Sequence, residues 1–155
     1  MAVAVIGAGT CDSHIGKLAY EIGYLIAERG AVLVTGGTTG VMEAASHGAR
    51  DGGGLVVGIL PGRDSADANG AVDIAIPTGM GHLRNGLVAG SAAAVIAVGG
   101  EWGTLSEIGF ARALGKPVIG IRTWQIKQDE SPALQIERAD TPAEAVARAF
   151  ELGMV

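Results

Sequence analysis

Short apolar runs recur along the chain and alternate with segments whose apolar residues are spaced as on one face of a helix. Each run is filled with Val, Ile, Leu and Ala, which is typical of strands buried on both faces. The predicted strands are residues 2–7, 31–36, 55–60, 72–77, 93–98 and 116–121. A further short strand is expected near residues 134–137.

Helical periodicity fills the intervals between these runs. The clearest apolar stripe extends from Ile15 to Ile26. Asp12 or Ser13 can cap this helix at its N-terminus, and Gly30 can end it. The other predicted helices are residues 41–50, 80–91, 104–114 and a last one from residue 142.

The alternation of strands and helices predicts the fold class α/β. We expect one Rossmann-like domain over residues 1–155, a doubly wound parallel sheet flanked by helices. Ligands of such sheets bind beyond the carboxyl ends of the strands. With a strand order of 3-2-1-4-5-6, four loops rich in Gly or Thr share that rim. They are residues 7–12, 35–40, 78–84 and 99–104.

Composition narrows the range of functions. Hydrophobic residues make up 48% of the 155 residues and charged residues 17%, which indicates a folded domain and not a disordered chain. The net charge of −5 and the absence of any Lys/Arg cluster argue against binding to nucleic acid. No uncharged run is long enough to predict a membrane span, and no signal peptide is evident, so we expect a cytoplasmic protein.

Metal and disulfide chemistry is not expected. Cys11 is the single cysteine, which rules out an intrachain disulfide and a cysteine-based zinc cluster. The three histidines lie in separate segments without the spacing of metal ligands: they are His14, His47 and His82.

The stretch GGEWGTLSE, residues 99–107, lies between a predicted strand and a predicted helix. Its glycines suit a backbone that presses against a phosphate, and they are Gly99, Gly100 and Gly103. Thr104 and Glu107 also fit a capping box, which explains both residues without a ligand. Trp102 is either a packing residue or a ring that stacks on a flat ligand at the mouth of the site.

The stretch TGGTTG, residues 35–40, has two interpretations that the sequence leaves open. Backbone N–H groups of Gly36, Gly37 and Thr38, together with a helix dipole, favour an anion. Alternatively, the glycines serve a tight strand-to-helix turn that needs positive φ.

Arg84 follows a glycine-rich turn in TGMGHLRN, residues 78–85. A surface arginine is usually only solvated, but one on this rim can pair a phosphate through two parallel hydrogen bonds. Thr78, Gly79 and Asn85 accompany it in the predicted site.

Several familiar nucleotide and hydrolase motifs are missing. Asp12 stands where the dinucleotide fingerprint needs its last glycine, and no acidic residue ends the second strand. Neither a P-loop nor a GxSxG nucleophile elbow occurs. Binding of NAD, ATP hydrolysis by a P-loop and serine hydrolase chemistry are therefore not expected.

Residues 84–120 and the segment TGGTTGVMEAAS resemble a family of small Rossmann-like proteins. That family includes molybdenum cofactor carrier proteins and members described as DNA-processing-related. The larger superfamily contains the lysine-decarboxylase-like proteins, or Lonely Guy family, which are cytokinin riboside 5′-monophosphate phosphoribohydrolases. The resemblance covers most of the chain.

The resemblance implies roles for particular residues. The phosphoribohydrolases carry PGGxGTxxE after an Arg-Lys pair, so Arg84 and Glu107 match their catalytic arginine and glutamate. Their phosphate cradle corresponds here to Gly99, Gly100, Gly103 and Thr104. Val98 replaces the proline of that pattern and Asn85 the lysine, and both departures resemble the carrier branch.

Two functions follow from these observations. The first is a carrier or binding protein, with no required cofactor, for a phosphorylated small molecule such as an AMP-like nucleotide or molybdenum cofactor. The alternative is hydrolysis of the N-glycosidic bond of a nucleoside 5′-monophosphate, in which Glu107 stabilises the ribose cation and Arg84 holds the substrate. The expected ligand contacts are Gly36, Gly37, Thr38, Thr78, Gly79, Arg84, Asn85, Gly99, Gly100, Gly103 and Thr104. A DNA-processing role is a weaker third hypothesis, because the chain is acidic.

We also expect a homodimer or homotetramer. The helices around residues 86–94 and 104–114 carry small residues that allow close packing against another subunit, and the resembled family is oligomeric. These residues are Ala89, Gly90, Ala92, Gly109, Ala111 and Ala113. The alternative is that these faces only cover the sheet.

Overall fold

The computed structural model describes residues 1–126 and 136–154. Within them, seven parallel strands form a single sheet. The strands are β1 (Ala2–Gly7), β2 (Val32–Thr35), β3 (Val56–Leu60), β4 (Ile74–Pro77), β5 (Ala94–Val98), β6 (Val118–Ile121) and β7 (Glu137–Arg138). The helices are α1 (Ser13–Glu28), α2 (Val41–Asp51), α3 (Asn85–Gly90), α4 (Trp102–Ala113) and α5 (Pro142–Gly153).

Two apolar cores lie on opposite faces of this sheet. One core packs α1, α2 and α5 against it, and the other packs α3 and α4. All five residues of β5 are buried, because this strand is central and covered on both sides. The predicted fold class, an α/β Rossmann-like parallel sheet flanked by helices, is confirmed.

The expected strand order is wrong for the fourth strand. The observed order is β4-β3-β2-β1-β5-β6-β7, so β5 and not β4 lies beside β1. The side chains of β4 explain its place at the edge. Ile74 and Ile76 are each almost half exposed, and Pro77 lacks the N–H that a strand with two neighbours would use. The uninterrupted apolar run of β5 suits the central position.

The predicted capping box at the start of α4 is also wrong. The helix begins at Trp102, and its N-cap, Glu101, makes no side-chain capping bond. Thr104 and Glu107 therefore lie inside the helix, where a capping role does not explain them. Gly100 adopts a φ of +117° and turns the chain directly from β5 into α4, so the helix starts earlier than the sequence pattern indicates.

Other predicted boundaries are close to those observed. Asp12 caps α1 by accepting a hydrogen bond of 2.8 Å from the N–H of Ile15. The helix expected over residues 80–91 is divided into a 3-10 turn, Gly81–Arg84, followed by α3. The strand expected near residues 134–137 lies partly outside the described residues, and Glu137–Arg138 pairs with β6.

The described residues contain no helix that has the length and apolar character needed to cross a membrane. Among the same residues, no group of three or more His, Cys, Asp or Glu side chains is arranged to hold a metal ion.

Candidate functional site

A cavity of about 280 Å³ opens at the carboxyl ends of the central strands. Loops after β1, β2, β3 and β5 contribute to its walls, together with the 3-10 turn before α3. The lining residues are Gly7, Ala8, Gly9, Thr38, Met42, Pro61, His82, Arg84, Asn85, Glu101, Gly103, Thr104 and Glu107. This is the rim at which doubly wound sheets bind their ligands.

Arg84 is the main cation in the wall of this cavity. It ends the 3-10 turn that returns the chain from edge strand β4 to the centre of the rim, and it is only 7% exposed. Its Nη1 donates to Asn85 Oδ1 at 2.7 Å, and its Nη2 donates to the carbonyl of Gly36 at 3.3 Å. Its buried Nε has no hydrogen-bond partner among the described residues. The guanidinium therefore keeps an unused donor.

Gly36 makes the room that Arg84 occupies. A Cβ at this position would lie 2.6 Å from Arg84 Nη2 and 2.5 Å from Met42 Sδ. Real Cβ atoms essentially never approach other atoms so closely, so a larger residue would displace the guanidinium or the thioether. Because Gly36 has no side chain, the guanidinium of Arg84 can lie against its backbone. The carbonyl of Gly36 accepts a hydrogen bond from one end of that guanidinium.

Glu107 places a buried carboxyl group beside Arg84. It comes from the second turn of α4 and is 5% exposed. Its Oε1 lies 3.6 Å from Arg84 Nη1, which is an ion pair without a direct hydrogen bond. Burial raises the pKa of Glu107 to about 7, and the positive charge of Arg84 offsets only part of that effect. Burial also lowers the pKa of Arg84, which the charge of Glu107 partly opposes.

Asn85 connects Arg84 to the first turns of α4. Its Oδ1 accepts from Arg84, and its Nδ2 donates to Ser106 Oγ at 3.0 Å. Ser106 Oγ in turn donates to the carbonyl of Gly103 at 2.6 Å. An amide can accept on one side and donate on the other, whereas a lysine at this position could only donate. Asn85 therefore suits a positioning role toward Arg84.

Two helix N-termini open onto the same cavity. Thr38 and Met42 line it at the start of α2, and Gly103 and Thr104 line it at the start of α4. Helix N-termini carry partial positive charge, although the first N–H of α2, that of Val41, already donates to the carbonyl of Ala8. Together with the guanidinium, they make this end of the cavity favourable for an anion.

Six of the predicted site residues line the cavity. They are Thr38, Arg84, Asn85, Gly103, Thr104 and Glu107. Gly36 lies directly behind Arg84. Thr104 also packs against the turn at Gly100, where an added Cβ would lie 2.5 Å from the Cβ of Thr104. Gly36 and Gly100 are thus adjacent to the lining and not part of it.

The other predicted residues have hydrogen bonds within the protein and lie outside the lining. The N–H of Gly37 donates to Thr35 Oγ1 at 2.9 Å, in a tight turn with positive φ. Thr78 Oγ1 donates to the carbonyl of Leu60, and the N–H of Gly79 donates to that of Gly62. The carbonyl of Gly99 accepts from Thr123 Oγ1.

Seven further residues line the cavity and were not among the expected ligand contacts. They are Gly7, Ala8, Gly9, Met42, Pro61, His82 and Glu101. Five of them lie in loops that the sequence placed on the rim, residues 7–12, 78–84 and 99–104. Met42 and Pro61 lie outside those loops, because their approach depends on how α2 and the loop after β3 pack.

A family model covers nearly the whole chain. The SLOG cluster4 family matches residues 1–146. The chain belongs to this family. A protein of Archaeoglobus fulgidus, described as uncharacterized, is 46% identical to it over 149 residues, which are 94% of this chain and 92% of that protein.

Solved structures resemble the fold along its whole length. The molybdenum cofactor binding protein from the phototrophic bacterium Rippkaea orientalis is 39% identical, with a TM-score of 0.88 over 97% of this chain and 95% of that one. The molybdenum cofactor carrier protein of Chlamydomonas reinhardtii is 34% identical, with a TM-score of 0.87 over 99% of each chain. The expected relationship to molybdenum cofactor carrier proteins is confirmed.

Proposed function

We propose that this protein binds a phosphorylated small molecule in the cavity beside Arg84 and acts as its carrier. The observation that carries the proposal is the guanidinium, which is buried in the cavity wall and whose nearest carboxylate, Glu107, makes no hydrogen bond to it. A buried charge without a hydrogen-bonded counter-charge is destabilised, and an anionic ligand in the cavity would supply one.

The surroundings of Arg84 support an anion as the ligand. Charge-assisted hydrogen bonds contribute about 1.5–3 kcal/mol each, and each helix dipole about 0.3–1 kcal/mol. Two helix N-termini and one guanidinium act on a cavity of about 280 Å³, which suits a phosphate with its attached sugar or linker. The rest of a nucleotide-sized ligand would extend beyond this volume.

We infer that the cargo is either an AMP-like nucleotide or a molybdenum cofactor. Two structural relatives that share at least 34% of their residues with this chain bear names of molybdenum cofactor proteins, which supports the second. In this proposal the protein needs no resident cofactor and operates in the cytoplasm, without nucleic acid as a partner.

The proposal is tested by finding which small molecule accompanies the protein. Native mass spectrometry of freshly purified protein, followed by release and identification of the bound mass, is expected to give a phosphorylated compound. A thermal-shift screen with nucleotides and pterin phosphates is expected to raise the melting temperature, because a ligand that binds only the folded state stabilises it. No bound mass and no shift across the screen would overturn the proposal.

A second candidate function rests on Glu107. A carboxylate in the same cavity as a phosphate-binding arginine is what hydrolysis of a nucleoside 5′-monophosphate requires, since the developing ribose cation needs a negative partner. The presence of Asn85 in place of the lysine of the phosphoribohydrolases favours the carrier. Release of free base from AMP by the wild type, abolished in Glu107→Gln, would establish the hydrolase instead.

We also propose that the protein forms a homodimer or homotetramer in which one interface is an apolar face. Three of the small residues expected at the interface, Ala89, Ala92 and Ala111, are buried against the sheet. Larger apolar side chains are exposed beside them on the 3-10 turn, on α3, on α4 and at the residue that follows α4. We call these residues the α3–α4 face: Leu83, Leu87, Phe110 and Leu114. Exposed apolar surface of this kind is typical of an interface.

A further inference from the structure

Trp102 is the most exposed large apolar side chain among the described residues, with 76% of its surface accessible. It is the first residue of α4 and lies between Glu101 and Gly103, which both line the cavity. Burial in the core therefore does not account for this side chain. A solvent-exposed indole at the rim of a binding cavity is available to contact a ligand.

A second indole lies next to it. The ring centroids of Trp102 and Trp124 are 5.3 Å apart, with 40° between the ring planes. Trp124 Nε1 donates to the carbonyl of Glu101 at 3.2 Å, and Thr123 Oγ1 donates to the carbonyl of Gly99. The segment after β6 is thus tied to the turn that leads from β5 into α4.

The backbone conformation of Arg122, just before this segment, indicates that the position of the segment is fixed by its surroundings. Arg122 has a φ of +53° and is the one residue other than glycine with positive φ among the described residues. Non-glycine residues in this conformation are destabilised by about 1 kcal/mol or more and persist where the surroundings fix them. The turn at Arg122 brings Trp124 over the N-terminus of α4, where it supports Trp102.

We propose that Trp102, supported by Trp124, is a stacking platform for the planar heterocycle of a ligand whose phosphate binds beside Arg84. This proposal rests on the proposed function and adds the chemical class of the second half of the ligand. The cavity of about 280 Å³ is smaller than the roughly 300–1,000 Å³ of most small-molecule pockets. Trp102 follows Glu101, which lines the cavity, so a ring attached to the bound phosphate would reach the platform by passing Glu101.

An exposed indole can stack on any flat ring. An aromatic face contributes about 1–3 kcal/mol per base in single-stranded nucleic acid complexes, with little dependence on base identity. The platform therefore selects for a purine or pterin ring over a bare sugar phosphate, and the phosphate site provides the remaining affinity.

The test compares ligands with and without a ring. AMP and a pterin phosphate are the probes that have one, and ribose 5-phosphate is the matched probe that lacks it. The sequence contains two tryptophans, so tryptophan fluorescence reports on this pair alone. The ring-bearing probes are expected to change the emission on binding, whereas ribose 5-phosphate binds without changing it. Affinities come from calorimetry.

Trp102→Ala separates stacking from phosphate binding. This substitution is expected to weaken binding of at least one ring-bearing probe by about tenfold and to change the affinity for ribose 5-phosphate by less than about twofold. Trp102→Phe should recover part of the loss. Leu55→Ala, which removes an exposed apolar side chain outside the cavity lining, is the control and should change neither affinity.

Two results would overturn the platform while leaving the phosphate site intact. The first is equal wild-type affinity for the probes with and without a ring. The second is ring-bearing probes that bind Trp102→Ala as tightly as the wild type. An equal loss for all probes would make Trp102 structural and would also overturn the platform. If no probe binds the wild type, the proposed function fails and the platform fails with it.

Discussion

Arg84 Nη1 and Glu107 Oε1 lie 3.6 Å apart inside the protein, close enough to attract but not to form a hydrogen bond. Both residues are more than nine-tenths buried. A buried pair that served stability alone would be expected to satisfy its donors and acceptors directly. In the part of the chain that the structure describes, the Nε of this guanidinium has no hydrogen-bond partner, so the pair is not fully satisfied within the protein.

Stability is expected to fall with rising pH because of Glu107. Its pKa is raised from 4.5 to about 7 in the folded state, so the folded protein binds the proton more tightly than the unfolded chain does. The stabilisation is complete below about pH 4.5 and is lost as the pH rises through about 7, by an amount on the order of 3 kcal/mol. Urea unfolding at about pH 5 and pH 8 measures this difference.

Glu107→Gln is the control for that pH dependence, because glutamine keeps the shape and cannot ionise. The variant should lose most of the difference in stability between the two pH values that the wild type shows. An equal pH dependence in both proteins would mean that Glu107 does not titrate in this range.

Binding of an anion should be coupled to protonation of the same carboxyl group. A phosphate placed beside Arg84 repels an ionised Glu107, so binding of ribose 5-phosphate is expected to take up a proton near neutral pH. Calorimetry in buffers with different ionisation enthalpies measures the uptake. Glu107 is not the only ionisable group near the bound phosphate, because His82 and Glu101 also line the cavity and the phosphate itself can take up a proton. The decisive quantity is therefore the reduction of uptake in Glu107→Gln, and no reduction would contradict the coupling.

Gly36→Ala should impair phosphate binding in a protein that still folds. The new Cβ meets Arg84 Nη2 at 2.6 Å and Met42 Sδ at 2.5 Å, so both side chains must move. We expect about 1–3 kcal/mol of lost stability and at least about tenfold weaker phosphate binding. Gly16→Ala in α1 is the matched control, since its Cβ makes an ordinary contact of 3.7 Å with Cys11. The two variants are compared by urea unfolding and calorimetry, and equal affinities would contradict the role of Gly36.

The α3–α4 face should determine the oligomeric state. Leu83 is 72% exposed and Leu87 is 43% exposed, so glutamate at both positions would put charge into the proposed interface without disturbing the core. Light scattering is expected to give a dimer or tetramer for the wild type and a smaller species for the double variant, which is a monomer if the wild type is a dimer. Leu55→Glu, which charges another exposed leucine, should leave the assembly unchanged. A monomeric wild type at micromolar concentration would contradict this proposal.

The strands and helices were largely predictable because burial of both strand faces leaves a direct apolar signature. The place of β4 was not predicted, although Pro77 marked an edge strand. The start of α4 was misplaced because Thr104 and Glu107 form a capping pattern, and the positive φ of Gly100 that overrides it is not visible in the sequence.

From the sequence, Arg84 and Glu107 could be predicted as residues of the candidate site. Their segments flank predicted strands, and the observed rim places both residues in one cavity. Arg84 Nε lacks a partner among the residues that the structure describes, and Gly36 provides space for the guanidinium. Both features depend on atomic distances, which the spacing of residues along the sequence does not determine. The exposure of Trp102 likewise depends on the residue at which α4 starts. The sequence alone therefore could not decide whether Trp102 packs within the protein or contacts a ligand.

The central claim is that Arg84 binds the phosphate of a ligand. Its most direct test is the affinity of ribose 5-phosphate for the wild type, for Arg84→Met/Glu107→Gln and for the control Arg138→Met. The double variant removes both buried charges together, which avoids an unpaired carboxylate and keeps the fold. We expect at least about tenfold weaker binding to the double variant and no change in Arg138→Met, whose arginine is exposed on β7. Full affinity in the folded double variant would contradict the claim.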